Sequence, residues 1–225
     1  MVAERLAEIN ERVAAAAHRS GRKPTAVTLV AVSKGHSMAA IAEAYEAGHR
    51  DFGENRAAEL AEKAPLLPSD IRWHFVGSLQ TRQVKTARPH TSLLHSLDRP
   101  RLANSWAGAD APAPALIQVN IAGEVQKHGV APEETAALLH KASDLGISCP
   151  GLMAMAPLAA VPEESRQWFR ALRMLRDDLV DTFPDLVELS MGMTDDFEVA
   201  IEEGATIIRV GRAIFGSPGR TGKSD

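Results

Sequence analysis

Residues 27–34 read Val-Thr-Leu-Val-Ala-Val-Ser-Lys (VTLVAVSK). Successive side chains of a strand point to opposite faces, and here both alternating sets are largely apolar. A strand wetted on one face alternates apolar with polar. A parallel strand covered by helices does not. The stretch predicts a buried parallel strand, and a lysine stands directly after it.

Reading outward from this strand, a βα rhythm fills the chain. Upstream, residues 1–18 carry Leu6, Ile9 and Val13 at spacings of three and four, one apolar stripe of a helix. Downstream, Met38, Ile41 and Tyr45 predict a second helix that ends at Gly48. Further strands are predicted at 50–53, 72–76, 92–97, 115–121, 151–155, 187–191 and 206–210. Between them lie helical patterns. One starts at Pro132 and shows Leu138, Ala142 and Leu145 on one face; another carries Trp168, Leu172, Leu175 and Leu179. Asp195 and Glu198 have the spacing of a capping pair, and Gly146 and Gly204 stand where a helix turns into a strand. Eight strands alternating with helices predict a (β/α)₈ TIM-type barrel with an extra N-terminal helix. A doubly wound open sheet is the rival, which periodicity does not separate. One domain is expected over 1–225, with an N-terminal helix at 1–20, a surface loop at 107–114 and a flexible tail at 217–225.

Composition narrows the function. Of 225 residues, 45% are hydrophobic and 24% charged, with a net charge of −4 and both signs interspersed. Nothing in that balance favours nucleic acid or an anionic membrane. No apolar run approaches the ~20 residues of a membrane span. The opening MVAERLAEINERV has acids and no apolar core, unlike a secretory signal. Cys149 is the one cysteine, so no intramolecular disulfide forms. A cytoplasmic protein with a small buried thiol is expected.

In α/β barrels the site forms where strands end at their C-terminal side. Lys34 is there. Partial desolvation would free its amine to attack an aldehyde, whereas the plainer reading is a lysine snorkelling to the rim. A second cluster ends the last two predicted strands: Ser190-Met191-Gly192-Met193-Thr194, and Arg209-Val210-Gly211-Arg212. Loops at these two places commonly hold phosphate, although a glycine-containing turn alone is weak evidence. A lysine paired with an anion cradle makes a phosphate-bearing aldehyde the economical ligand. Glu54, Asn55, His74, Ser78, His95, Asp98, Asn120, Glu124, Lys127 and His128 also fall at strand ends. No histidines have His-x-x-x-His spacing, so no metal is expected.

Taken in order, LVAVSK (29–34), FGENR (52–56), WHFVGSLQTRQVK (73–85), HSLDR (95–99), IQVNIAGEVQKHG (117–129), GLMAM (151–155) and LSMGMTDDFEVAIEEGATIIRVGRAIFG (189–216) resemble the motifs of the pyridoxal phosphate homeostasis protein family. The resemblance covers about residues 25–217. It implies a barrel similar to the N-terminal domain of alanine racemase, without that enzyme's C-terminal β domain. It also implies pyridoxal 5′-phosphate (PLP) held as a Schiff base on Lys34. By motif, Ser190 and the backbone of Gly211 and Arg212 would hold the phosphate, Arg209 would face the pyridine nitrogen, and Asn55 would lie near the ring. Gly35 departs from the family, which usually has Thr or Asn there, followed by Lys or His; His36 follows here.

The expected function is therefore PLP binding and vitamin B6 homeostasis by a cytoplasmic monomer, with apo PLP-dependent enzymes as recipients of the cofactor. No catalytic residues are assigned. The alternative is an amino-acid racemase or another slow PLP enzyme; a third reading is a barrel for some other phosphorylated metabolite. The racemase takes its second base, a tyrosine, from the other domain, and Tyr45 is the single tyrosine here.

Overall fold

The computed structural model describes residues 1–108, 113–124 and 126–217. Eight parallel strands close into a barrel in chain order: β1 (Thr28–Val32), β2 (Asp51–Glu54), β3 (Arg72–Phe75), β4 (Leu93–Leu97), β5 (Ala115–Gln118), β6 (Gly151–Met153), β7 (Glu188–Ser190) and β8 (Ile207–Val210). Closure excludes the open sheet. β1 pairs with β8, with Val30 opposite Arg209 and Ala31 opposite Val210.

The helices form the outer ring: α1 (Val2–Arg19), α2 (Met38–Glu46), α3 (Ala57–Lys63), α4 (Val84–Ala87), α5 (Pro100–Trp106), α6 (Thr135–Asp144), α7 (Arg166–Leu179), α8 (Phe197–Glu202) and α9 (Arg212–Phe215). Strand parity sorts the side chains between two cores. Leu29, Ala31, Ile208 and Val210 point outward into the large core under the helices. Val30, Leu116, Met153 and Ile207 point inward and pack on one another. Arg209 shares the parity of Ile207, so it too points into the barrel.

α1 lays Leu6, Ile9 and Val13 onto this frame as its spacing predicts. Arg12 and Arg19 of α1 pair with Glu198 and Glu202 of α8 at 3.1 and 2.8 Å. Gly48, Gly146 and Gly204 take φ of +92°, +69° and +101°, the left-handed turn that ends a helix before a strand.

Three sequence expectations change. Met38 is exposed, because α2 turns its Ile41 and Ala44 inward. Asp195 and Glu198 make no capping pair: Asp195 binds Arg212, Glu198 binds Arg12, and Asp196 accepts the Met193 N–H. β5 stops at Gln118, beyond which the chain runs into a loop closed by Asn120, whose side chain bonds the Glu124 backbone in both directions. The loop expected at 107–114 lies partly outside the described residues, and so does all of the expected tail beyond residue 217.

Candidate functional site

A cleft of about 480 Å³ opens at the C-terminal ends of the strands. That is the size of a small-molecule site. Because β1 and β8 are neighbours, the turn after β1 meets the loop after β8 across it. Lys34, Asn55, Arg209, Gly211 and Arg212 line this one cleft, together with His36 and Thr194.

Lys34 stands in a tight turn closed by the His36 N–H donating to the Ser33 carbonyl at 3.1 Å. Gly35 is third in that turn with φ +71°, which favours glycine, tolerates asparagine and disfavours threonine. The Gly35 N–H donates to Glu59 Oε1 at 2.6 Å. Behind the turn, the amine of buried Lys63 donates to the Ser33 carbonyl at 2.9 Å and to Glu54 Oε1 and Glu59 Oε1 at 2.7 Å each. Burial pushes the Glu54 carboxyl above its ordinary range, against the opposing pull of Lys63 and Ser33. Burial also works to raise Glu59, but hydrogen bonds from Lys63 and Gly35 outweigh it and hold it low. A buried ionic cluster thus anchors the backbone on which Lys34 projects. Lys34 itself is exposed, so the desolvation expected of its amine is not present.

His36 stacks on Phe215 of α9, ring centroids 5.2 Å apart, and ties the lysine turn to the β8 side. Burial, then the nearby charge of Lys63, lowers its pKa. Across the cleft, Arg209 is 5% exposed. Its guanidinium donates to Ser190 Oγ at 2.5 Å and to the Ala154 carbonyl at 3.1 Å. Burial pushes it down to about 10, with the charge of Asp196 opposing, so it stays cationic at neutral pH. Arg212 pairs with Asp195 at 2.5 Å on the rim.

Ser190 is not on the cleft wall. It is the last residue of β7 and points into the barrel, where its hydroxyl meets Arg209 and His95. Thr194 reaches the cleft instead, because the chain turns at Gly192 (φ +89°) and leaves the strand. The end of β7 is what separates the two hydroxyls: Ser190 is its last residue and Thr194 lies beyond it. Asn55 lines the cleft with its Oδ1 buried and unpartnered. Such an atom calls for a donor from a ligand.

A second cavity of about 780 Å³ adjoins the first across Met155, Leu158 and Met193. Lys127 belongs to that cavity, with its amine on Glu124 and the Ala156 carbonyl.

The closed parallel barrel belongs to one class, the alanine racemase N-terminal domain family, whose model matches residues 5–218. The pyridoxal phosphate homeostasis protein of Aquifex aeolicus (strain VF5) is 41% identical over 220 residues, 95% of this chain and 96% of that one. PipY of Synechococcus elongatus PCC7942, solved with PLP bound, superposes with a TM-score of 0.80 at 36% identity, over 96% of this chain and 100% of PipY. This chain belongs to the pyridoxal phosphate homeostasis protein family. Alanine racemase from Corynebacterium glutamicum shares the fold at 15% identity and a TM-score of 0.71, over 95% of this chain and 61% of that enzyme.

Proposed function

We propose that this chain binds PLP covalently through Lys34 in the 480 Å³ cleft and serves the homeostasis of that cofactor rather than fast catalysis. One observation carries the reading. A lysine amine and the glycine-containing loop of a neighbouring strand share a single cleft with a buried cation and an unpartnered amide oxygen. The homeostasis protein of A. aeolicus and PLP-bound PipY support the choice of ligand.

When bound, PLP supplies a reactive aldehyde and an electron-withdrawing ring. The residues divide that ligand among them. Lys34 would bond the aldehyde carbon, whose oxygen would leave as water. Thr194, with the backbone of Gly211 and Arg212, would hold the phosphate; the first N–H groups of a helix have no acceptor within it. Arg209 would donate toward the pyridine nitrogen and Asn55 would accept near the ring. Ser190 acts on the ligand through Arg209.

Storage suits these residues better than turnover. A guanidinium that keeps its proton does not stabilise positive charge beside it, so Arg209 would leave the ring nitrogen neutral and a weak electron sink. Tyr45 is no second base, since its hydroxyl donates to Asp70 at 2.8 Å, off the cleft wall. An exposed Lys34 leaves the aldehyde open to transfer to apo PLP-dependent enzymes. We place this chemistry in the cytoplasm, in a monomer; among the described residues no helix is long and apolar enough to cross a membrane.

The test is borohydride reduction of protein incubated with PLP, followed by peptide mass mapping. The cofactor mass appears on Lys34 and is lost in Lys34→Ala. A stoichiometric label persisting in Lys34→Ala, on Lys127 or elsewhere, overturns the assignment.

A further inference from the structure

Beneath the cleft, side chains from five strands join end to end across the barrel interior. Asp51 Oδ1, at the base of β2, lies 3.2 Å from His74 Nε2 on β3. His74 Nδ1 lies 2.9 Å from His95 Nε2 on β4. His95 Nδ1 lies 2.9 Å from Ser190 Oγ on β7. The same oxygen accepts from Arg209 on β8, which reaches the cleft. His95 and Ser190 are fully buried, and His74 and Arg209 nearly so.

The proton order along this line follows from donor and acceptor arithmetic. A guanidinium only donates, so Ser190 Oγ accepts from Arg209. The serine then has a hydrogen of its own to place, and the acceptor within reach is His95 Nδ1. That makes His95 the Nε2–H tautomer, which donates to His74 Nδ1. His74 carries its proton on Nε2 and donates to Asp51. The opposite tautomer of His95 would aim two donors at Ser190 and take from its hydroxyl hydrogen the buried acceptor at 2.9 Å, an arrangement buried polar groups avoid. Two further features agree. Burial holds His95 well below the ordinary histidine range, hence neutral with a single N–H. The Asp51 carboxyl would be raised by burial, but His74 and Arg72 together hold it down at about 2, hence ionised and accepting.

We propose that Asp51, His74, His95 and Ser190 form a one-way hydrogen-bond chain that fixes Arg209 in place as a donor to the cleft, with His95 as its positioning residue. Every hydrogen points from the mouth towards the base, where the Asp51 carboxylate ends the line. Arg209 is thereby held by a partner whose own hydroxyl is already committed, so Ser190 has no donor left for a ligand. The proton order is a property of the chain alone; its effect on PLP rests on the reading of the cleft given above.

Long-range ¹H–¹⁵N spectra of ¹⁵N-histidine-labelled, ligand-free protein read the tautomer directly. His95 shows a protonated Nε2 and a bare Nδ1. A protonated Nδ1, or both nitrogens protonated at neutral pH, overturns the chain. The functional arm compares two variants by PLP titration. His95→Phe keeps the bulk and removes the acceptor for Ser190, and PLP affinity falls about tenfold. His95→Asn restores an acceptor near the Nδ1 position, and most of the affinity returns. Equal losses in two folded variants overturn the positioning role. Should either variant fail to fold, the wild-type tautomer decides. Failure of the wild-type protein to bind PLP at all sinks the reading of the cleft, and the spectrum still judges the proton order.

Discussion

Lys34 and Lys63 stand on opposite sides of one backbone turn, and their surroundings differ completely. Lys34 faces the cleft and is exposed. The Lys63 side chain is 8% exposed and its amine meets two carboxylates and the Ser33 carbonyl. A buried ammonium is tolerated only where its charge and protons are matched, so Lys63 is committed to structure. An exposed amine on a rigid turn is free for chemistry. The pair teaches that position along the strand end does not by itself make a lysine reactive; what lies behind the turn decides which amine is held and which is offered.

The largest effect expected follows from removing the held charge. Lys63→Met leaves Glu54 and Glu59 facing each other without their shared cation. Breaking a buried pair from one side costs about 3–5 kcal/mol, read from urea unfolding at pH 7. A loss below ~1 kcal/mol would mean that Lys63 is no more structural than a surface lysine, and the contrast with Lys34 would disappear.

The base of the barrel offers a second held charge. The Asp51 carboxyl lies at about 2 against an ordinary 3.8, because hydrogen bonds from His74 and Arg72 outweigh the burial that would raise it. A depressed carboxyl stabilises the fold above its unfolded pKa and loses that stabilisation as pH falls through the folded value. Asp51 therefore contributes about 2 kcal/mol above pH ~4, fading towards pH ~2. In Asp51→Asn protein this part of the acid limb is missing, so the stabilities of wild type and variant converge as pH drops. Parallel curves over that interval would show that Asp51 is not a matched, buried charge.

Much of the barrel was readable because burial leaves a strong pattern. VTLVAVSK announces a covered strand and a lysine at its end, and all eight predicted strands are found within a few residues of their places. The glycines that end helices were readable for the same local reason. Lys34, Asn55, Arg209, Gly211 and Arg212 were readable as strand-end residues, and the closed barrel brings them to one cleft. What lay hidden depends on contacts between strands far apart in sequence. Nothing near Lys63 reveals that it folds under the Lys34 turn, 29 residues back. His74 and His95 read as isolated strand-end histidines until the pairing of β3 with β4 sets them 2.9 Å apart. Ser190 and Thr194 look equivalent in LSMGMT, and only the exact end of β7 tells them apart.

Smaller effects sharpen the contrast at the turn itself. Gly35→Ala places a side chain at φ +71°, a left-handed conformation that costs about 1–2 kcal/mol. Gly35→Asn costs less, because asparagine visits that region readily. Equal stability of glycine and alanine variants would show that the turn is not left-handed in solution, and with it the anchoring through the Gly35 N–H would be in doubt.

The smallest change in stability is expected at Lys34, the residue proposed to bond the cofactor. Lys34→Ala removes an exposed side chain, so unfolding free energy shifts by no more than ~0.5 kcal/mol. The same substitution eliminates the borohydride-fixed PLP, while reversible binding survives through Thr194, Arg209 and the backbone of α9. Lys63→Met does the converse: it weakens the fold, and in the folded fraction Lys34 still takes the label. A Lys34→Ala protein destabilised by more than ~1 kcal/mol would place this amine, too, among the structural charges. The division of labour across the turn would then have to be abandoned.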